Sequence, residues 1–242
     1  MSNSVKKLAL ALMTFFGAAA LAAHAATPAK PTPRPAVARD WSKAVTFTQA
    51  GGIMRGNPAA RVRLVEYISY TCPHCAHFDG EATPEIDASY VKSGKVQVEV
   101  RPFVRNMFDV TASLLAHCGG PERFFGNHAA LLASQTTWIK PASTADEKTL
   151  QRWSNPDFAT RMKLIAGDLG LTALMQKRGY TEAQLNTCLA DRAMAQKFVD
   201  LTNSAVTDHN VQGTPSFLIN DKLQDNVWDW QALRPALDKS LP

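Results

Sequence analysis

The sequence predicts a mixed α/β fold in which a long helical segment interrupts a sheet-forming region. Runs rich in β-branched and aromatic residues, which are typical of strands, occur at 61–69, 95–104 and 213–220. Between the second and third runs, residues 106–209 show a helical pattern instead. A Cys-x-x-Cys pair directly follows the first run, where a helix is expected to begin. These observations set the order strand, helix, strand, helical segment, strand.

Local patterns justify the elements of the first half in turn. A short strand is predicted at 45–48, a turn-rich stretch at 51–61 and a stronger strand at 61–69. After the cysteines, a helix is expected to run to about Lys92. Pro84 should kink or break that helix, because a proline inside a helix removes a hydrogen bond and clashes with the preceding turn.

Local sequence patterns also predict the elements of the second half of the chain. The alternating run KVQVEVRPFV predicts a strand, and a capping box at 181–184 predicts the start of a long helix. Residues 213–220 predict a turn and a strand, NDKLQDN a hairpin return, and 230–241 a closing helix with Pro235 in its first turns. The complete order is that of a thioredoxin-like α/β fold with an inserted α-helical domain.

The N-terminus predicts export. A polar start with two lysines, sixteen apolar residues at 8–23 and an Ala-His-Ala ending are typical of a cleaved secretory signal peptide, residues 1–25. The alternative is a membrane anchor, for which about 20 apolar residues would be needed. Alternating prolines then predict an extended tether at 26–43, with folded structure from near Val45. The mature protein is expected to be soluble and periplasmic.

These elements divide the chain into five predicted parts. They are the signal peptide (1–25), the tether (26–43), a first thioredoxin-like part (44–105), the helical insertion (106–209) and a second thioredoxin-like part (210–242). The formal net charge of +5 falls to +3 without the two signal-peptide lysines, and the basic residues are interspersed with acids. The charge pattern therefore gives no reason to expect nucleic-acid binding.

The four cysteines favour disulfide chemistry. All lie in the mature chain, and they are Cys72, Cys75, Cys118 and Cys188. An even number of cysteines in an oxidising compartment favours disulfides over metal ligation. A metal clip formed by the Cys-x-x-Cys pair with His74 or His77 is the alternative. Zinc sites usually collect four ligands from two such clusters, and the sequence offers no second cluster, so we predict a redox pair and no metal.

The spacing in Cys-Pro-His-Cys gives the two cysteines different roles. Pro73 suits the first helical position, which makes Cys72 the N-cap. A thiolate there would meet the unpaired N–H groups of His74 and Cys75 and the positive end of the helix, and the His74 side chain would add a further stabilising group. The pKa of Cys72 should therefore be lowered. Cys72 is expected to be the exposed nucleophile and Cys75 the shielded, resolving thiol.

This motif, following a strand that carries Glu66, resembles the DsbA-like thiol:disulfide oxidoreductases of the thioredoxin superfamily from about residue 45 onward. These are periplasmic enzymes that introduce disulfides into exported proteins. The resemblance implies that Glu66 is a buried acid beneath the active site. It also implies that Gly213, Thr214 and Pro215 form a substrate-binding loop with a cis-proline. The alternatives are an exposed strand residue at Glu66 and an ordinary trans turn at Pro215.

The resemblance further implies that Cys118 and Cys188 form a structural disulfide, with two buried free thiols as the alternative. It implies no metal, nucleotide or flavin cofactor, and reoxidation by a quinone-linked membrane partner. Unfolded or reduced exported proteins would be the clients, and the apolar residues Tyr70 and Phe78 would suit them. His77 is interpreted as a surface residue of the helix.

Two other functions stay open. Thr214 occupies the position that is valine in the best-known DsbA, and threonine there also occurs in dimeric isomerases, so a disulfide reductase or isomerase is the first alternative. Residues 26–43 are too short for the dimerisation domain of such isomerases, which favours a monomeric oxidase. A copper-handling protein that uses the Cys-x-x-Cys pair is the second alternative.

Overall fold

The computed structural model describes residues 39–241. The predicted signal peptide (1–25) and most of the predicted tether (26–43) lie outside the described residues. Trp41–Lys43 form a 3-10 turn capped by the side chain of Asp40, and the Trp41 N–H donates to the carbonyl of Lys92. Regular structure therefore begins a few residues before the predicted start.

The strands of the described residues form one six-stranded sheet. They are β1 (Val45–Phe47), β2 (Ile53–Gly56), β3 (Val62–Ile68), β4 (Val96–Pro102), β5 (Ser216–Ile219) and β6 (Lys222–Leu223). Their spatial order is β1-β2-β4-β3-β5-β6. The central pair β3 and β4 is parallel, and every other neighbouring pair is antiparallel.

Strand β2 was not expected from the sequence. The stretch 51–61 was expected to be turn-rich, yet Ile53–Gly56 pairs with β1 on one side and with β4 on the other. Two flanking strands satisfy its backbone, so tertiary pairing outweighs the glycine-rich composition. Gly56, at φ 120°, ends the strand in a conformation that other residues rarely adopt.

Both faces of β3 are covered, as its sequence predicts. Leu64 and Ile68 pack into the main core on the face that carries the helix Pro73–Ile86 (α1). Val65 and Tyr67 pack into a second core with Ala205 of the helix Arg192–His209 (α9). Glu66 lies between Leu64 and Ile68 in the alternation and therefore points into the main core, under α1. The strand thus places one carboxylic acid among apolar side chains.

The helices complete the fold. They are α1 (Pro73–Ile86), α2 (Met107–His117), α3 (Pro121–Ala133), α4 (Gln135–Trp138), α5 (Glu147–Trp153), α6 (Phe158–Asp168), α7 (Leu171–Lys177), α8 (Glu182–Leu189), α9 (Arg192–His209) and α10 (Trp230–Ser240). Helices α2 to α9 lie between β4 and β5 in the chain. The predicted thioredoxin-like α/β fold with inserted helices is confirmed. None of the described helices has the length and apolar character that crossing a membrane requires.

Two helix predictions were wrong, namely a break of the helix at Pro84 and a long helix starting at Thr181. Helix α1 continues through Pro84 to Ile86, where a wide π-type turn begins, because the buried face formed by Phe78, Ala82 and Ile86 holds the helix against the core. The capping box at Thr181 is present, but the helix it starts is short. Asp191 caps a new helix, α9, two residues after α8 ends.

A disulfide joins Cys118, at the C-terminal end of α2, to Cys188 in α8, with the two Cα atoms 5.6 Å apart. The two cysteines are 70 positions apart in the chain. A cross-link that closes so long a loop restricts the unfolded chain strongly.

Replacing both cysteines, Cys118→Ala with Cys188→Ala, should lower the free energy of unfolding by up to about 4 kcal/mol. The measurement is urea unfolding of the variant and the parent protein, both with Cys72 and Cys75 oxidised. The rate at which a small dithiol reduces the Cys72–Cys75 disulfide should stay nearly unchanged. Equal unfolding midpoints would show that this disulfide is not a stabilising link.

Candidate active site

The cysteine pair lies where β3 passes into α1. Pro73 is the first residue of α1, and Cys72 is its N-cap in extended conformation. Both cysteines are free thiols in the structure. Cys72 was expected to be exposed, and that expectation was wrong, because the residue is only 4% exposed beside the Thr214 carbonyl. Cys75 is fully buried, as expected for a shielded thiol.

A buried carboxylate from α2 holds the loop that leads to Cys72. Asp109 Oδ1 accepts hydrogen bonds from the Ser69 hydroxyl and the Thr71 N–H, both at 2.8 Å. Arg105 extends over the same loop, with Nε 3.0 Å from Ser69 Oγ and Nη2 2.8 Å from Thr71 Oγ1. These contacts join residues about 35 to 40 positions apart in sequence. They fix the backbone immediately before Cys72.

A second buried side chain, Gln135 of α4, completes this support. Its Nε2 donates to the carbonyl oxygens of Tyr70 and Cys72, both at 2.8 Å. The two N–H bonds of one amide are therefore used on two carbonyls of the active-site loop. Asp109 and Gln135 carried no signal in the sequence, because single polar residues in helical stretches are common and their partners lie far away along the chain.

The predicted substrate-binding loop faces Cys72. The Thr214–Pro215 peptide is cis. The carbonyl oxygen of Thr214 lies 3.1 Å from the Cys72 sulfur, whose thiol donates to it. The Thr214 hydroxyl oxygen is buried without a hydrogen-bond partner. The Gly213 carbonyl accepts from the Ser216 hydroxyl at 2.7 Å, which holds the turn together.

The surroundings of Cys72 favour its thiolate. Its pKa is lowered to about 5, first because the Cys75 thiol can donate to it, against the opposing effect of burial. The Thr214 hydroxyl and the N–H groups of Cys75 and His74 act in the same direction, although none of them is within hydrogen-bond distance of the Cys72 sulfur in the structure. Burial, together with the neighbouring Cys72, raises the pKa of Cys75 well above its usual range. One thiol is therefore acidic and the other is not.

The structure changes part of the explanation that was predicted for the low pKa of Cys72. The Cys72 side chain forms no hydrogen bond that caps α1, so the N–H groups of His74 and Cys75 act on it at longer range. The His74 ring is exposed, and the group through which His74 lowers the pKa of Cys72 is its main-chain N–H. His77 is also exposed and lies 3.5 Å from Glu81, one turn along the same helix.

Glu66 is 4% exposed and lies in the core. In the sheet it is paired with Phe217, whose ring packs 4.7 Å from that of Phe78 in α1. Burial raises the pKa of Glu66 to about 8, against the attraction of Arg55, and the carboxylates of Asp79 and Asp87 raise it further. Glu66 is therefore mostly protonated at pH 7.

Tyr70 and Phe78 were expected to meet clients, and that expectation was wrong. Both are almost completely buried. The Tyr70 hydroxyl is hydrogen-bonded to Nδ1 of His128 at 2.8 Å, and Nε2 of His128 lies 3.4 Å from Asp79. Tyr70 is thus a core residue whose hydroxyl group belongs to a buried polar chain. The exposed apolar side chain near the Thr214 loop is Trp228, 46% exposed, whose ring faces Gly213.

Comparison with known proteins agrees with this geometry. Residues 48–239 match the family model described as Thioredoxin. The chain belongs to the thioredoxin family. The predicted resemblance to its DsbA-like members is confirmed, and the relatives and solved structures that follow carry names of that kind.

A Rickettsia bellii protein named "Putative protein-disulfide oxidoreductase" is 27% identical over 81% of this chain and 68% of its own length. This chain spans 60–63% of the length of four further Rickettsia relatives. A crystal structure of a protein-disulfide isomerase from Novosphingobium aromaticivorans is 43% identical, covers 78% of this chain and 96% of its own, and superposes with a TM-score of 0.74. The structure of Wolbachia pipientis alpha-DsbA1 shares the fold, with a TM-score of 0.59 at 23% identity over 80% and 92% of the two chains.

The raised pKa of Glu66 makes a testable contribution to stability. The folded protein binds a proton that the unfolded chain releases near pH 4.5, so stability should fall as the pH rises from about 4.5 to about 8. Glu66→Gln should remove that slope, which amounts to at most about 1.4 kcal/mol per pH unit. Urea unfolding of the oxidised protein at pH 5, 6, 7 and 8 measures it.

The expected result is that Glu66→Gln gains stability relative to the parent protein as the pH rises. The exposed residue Glu182 provides a matched control, and Glu182→Gln should follow the parent protein at every pH. Parallel curves for Glu66→Gln and the parent protein would contradict a neutral Glu66 in the fold.

Proposed function

We propose that this chain is a protein-disulfide oxidoreductase that acts as an oxidase and introduces disulfide bonds into exported proteins at Cys72 and Cys75. The observation that carries the proposal is the asymmetry of the two thiols, one with a pKa near 5 and one with a raised pKa. Stabilising the Cys72 thiolate stabilises only the reduced protein. The oxidised protein is then expected to give up its disulfide readily.

The proposed reaction is two successive thiol–disulfide exchanges. A client thiolate attacks the Cys72 sulfur of the Cys72–Cys75 disulfide, and Cys75 leaves and takes up a proton. A second client thiolate attacks the client sulfur of this mixed disulfide, and Cys72 leaves as the stabilised thiolate. Two electrons pass from the client to the enzyme, and the client gains one disulfide. A thiol of low pKa is the better leaving group, which suits Cys72 in the second step.

Gly213, Thr214 and Pro215 are the proposed contact for the client chain. An extended client segment could pair with the backbone of this loop as an added strand. Trp228 offers the apolar surface that Tyr70 and Phe78 do not, and it lies beside Gly213. Its exposure suits clients that are still unfolded.

The cellular setting is proposed from the sequence and the family. The segment 1–25 would direct the chain to the periplasm, where reduced exported proteins are the clients. A quinone-linked membrane partner would reoxidise the cysteine pair, with no metal or organic cofactor on this chain. We propose a monomer, with the helical insertion at 106–209 as part of the same folded unit.

An isomerase or reductase is the second candidate, and one observation favours it. The structure with 43% identity is named a protein-disulfide isomerase. The choice depends on which redox form is the more stable, as tested below.

The roles of the two cysteines can be tested by trapping. With Cys72 first converted to a mixed disulfide with glutathione, Cys75→Ala should exchange the glutathione for the thiol of a reduced single-thiol client and release glutathione as thiolate. The resulting mixed disulfide with the client should accumulate, because the enzyme thiol that would release it is gone. Cys72→Ala should trap few, since its remaining thiol is fully buried and has a raised pKa. Non-reducing gels and mass spectrometry give the yields. Equal trapping by both variants would refute the assignment of roles.

The redox poise can be tested by melting both forms of the protein. The pKa of Cys72 is depressed in the fold, so its contribution is fully present above the unfolded value near 8.5 and is lost as the pH falls through about 5. At pH 7 the reduced form should be more stable by on the order of 2 kcal/mol. The difference should shrink toward pH 5. A more stable oxidised form at pH 7 would replace the oxidase proposal with the reductase.

Thr214→Val provides a sharper version of this test. It removes the hydroxyl group that helps lower the pKa of Cys72, so it should raise that pKa and narrow the gap between the two redox forms. Thiolate absorbance near 240 nm during a pH titration gives the pKa directly. Thr172→Val, in the surface helix α7, is the matched control and should leave both quantities unchanged.

A further inference from the structure

An open cleft adjoins the candidate active-site loop on the side of the inserted helices. It has a volume of about 560 Å³, and its lining includes Thr71, Arg105, Asn106, Phe108, Ile139 and Lys140. Thr71 directly precedes Cys72, so the cleft begins one residue from the proposed nucleophile. A client chain joined to Cys72 therefore lies beside this cleft.

The cleft carries cationic side chains. Arg105 is held by hydrogen bonds to Ser69 and Thr71, and Lys140 is exposed. None of the described residues that line the cleft has a carboxylate. Asp109 lies behind the loop and is fully buried, so it offsets part of the Arg105 charge without presenting an anion to the cleft. The charges of Arg105, Lys140 and Asp109 sum to about +1.

The cleft that includes Ser216, the residue after Pro215, differs. It is lined by Ser216 and Trp228, and among its described lining residues Asp225 is the one that carries a formal charge. A client segment bound near Cys72 would thus meet a mostly polar, weakly acidic surface in one cleft and a cationic surface in the other. Such a difference selects among client sequences by charge complementarity.

Resting on the oxidoreductase function proposed above, we propose that the cleft of Arg105 and Lys140 binds a carboxylate side chain of the client, close to the cysteine that is oxidised. The fixed guanidinium of Arg105 provides directional donors for a carboxylate. Lys140 adds a mobile charge at the rim. Phe108 and Ile139 give apolar contact to the stem of a glutamate or to an adjacent residue.

The effect expected from one exposed ion pair is modest. Such pairs contribute about 0.2–1 kcal/mol, which corresponds to about a 1.4- to 5-fold change in rate. Because Arg105 also supports the active-site loop, its replacement would disturb more than the cleft. Lys140 is the better position to vary, since it is exposed and its side chain forms no hydrogen bond or ion pair within residues 39–241.

The experiment uses three reduced dithiol peptides that differ only in whether both cysteines are flanked by Glu, Gln or Lys. Each is reacted with the oxidised protein, and acid quenching with mass spectrometry gives the rate of peptide oxidation. Rates are expressed per thiolate, from each peptide's own titration, and are divided by its rate with oxidised glutathione. Three proteins are compared: the parent, Lys140→Glu and Lys177→Glu. The Lys177→Glu variant has the same net charge as Lys140→Glu, but its substitution lies in α7.

The parent protein should oxidise the Glu peptide about 2- to 5-fold faster than the Gln peptide, and the Lys peptide more slowly than either. Lys140→Glu should abolish or reverse this order, whereas Lys177→Glu should keep it. Equal corrected rates for all three peptides would overturn the proposal and leave the oxidoreductase function standing. Equal shifts in the two variants would also overturn it, by showing a general field effect. No oxidation of any peptide would instead refute the proposed function, and this inference with it.

Discussion

The position of Cys72 depends on the pairing of the backbone between β3 and α1 with buried side chains of the inserted helices. Polar backbone groups cannot be left unpaired in a core without a cost of about 1–3 kcal/mol each. Asp109 and Gln135 provide those partners, from α2 and α4. The sheet and α1 alone would leave the loop without its partners. The inserted helices therefore form part of the support of the candidate active site, and a change in their packing would reach Cys72 through these two residues.

The core under α1 adds an electrostatic constraint. Arg55 forms an ion pair with Asp87 at 2.6 Å, and Asp79 lies beside His128. These groups already place two carboxylates in the same region, so a third negative charge at Glu66 is opposed both by burial and by repulsion. A protonated Glu66 adds no further negative charge to the region. It thereby avoids a third buried carboxylate charge at the pH where the protein is expected to work.

Local sequence patterns were sufficient to predict much of the fold and the pairing of Cys72 with Cys75. The strand β3, the proline at the start of α1 and the cysteine spacing are all short-range features, and the structure reproduces them. What the sequence did not reveal depends on contacts over long separations. Strand β2 forms because two distant strands flank it, and Gln135 reaches a loop more than 60 residues earlier. The apolar character of Tyr70 predicted contact with clients, but that same character places the residue in the core.

The two cysteines act as a unit, and this bears on the direction of the proposed reaction. The largest contribution that lowers the pKa of Cys72 is the Cys75 thiol, which exists as a donor only in the reduced protein. In the mixed disulfide, Cys72 is bonded to the client and no longer acts as a charge on Cys75. Burial, the largest effect on Cys75, remains and keeps its pKa high. A protonated Cys75 is a poor nucleophile, so it returns slowly to Cys72. The client's second thiol therefore has time to complete the oxidation.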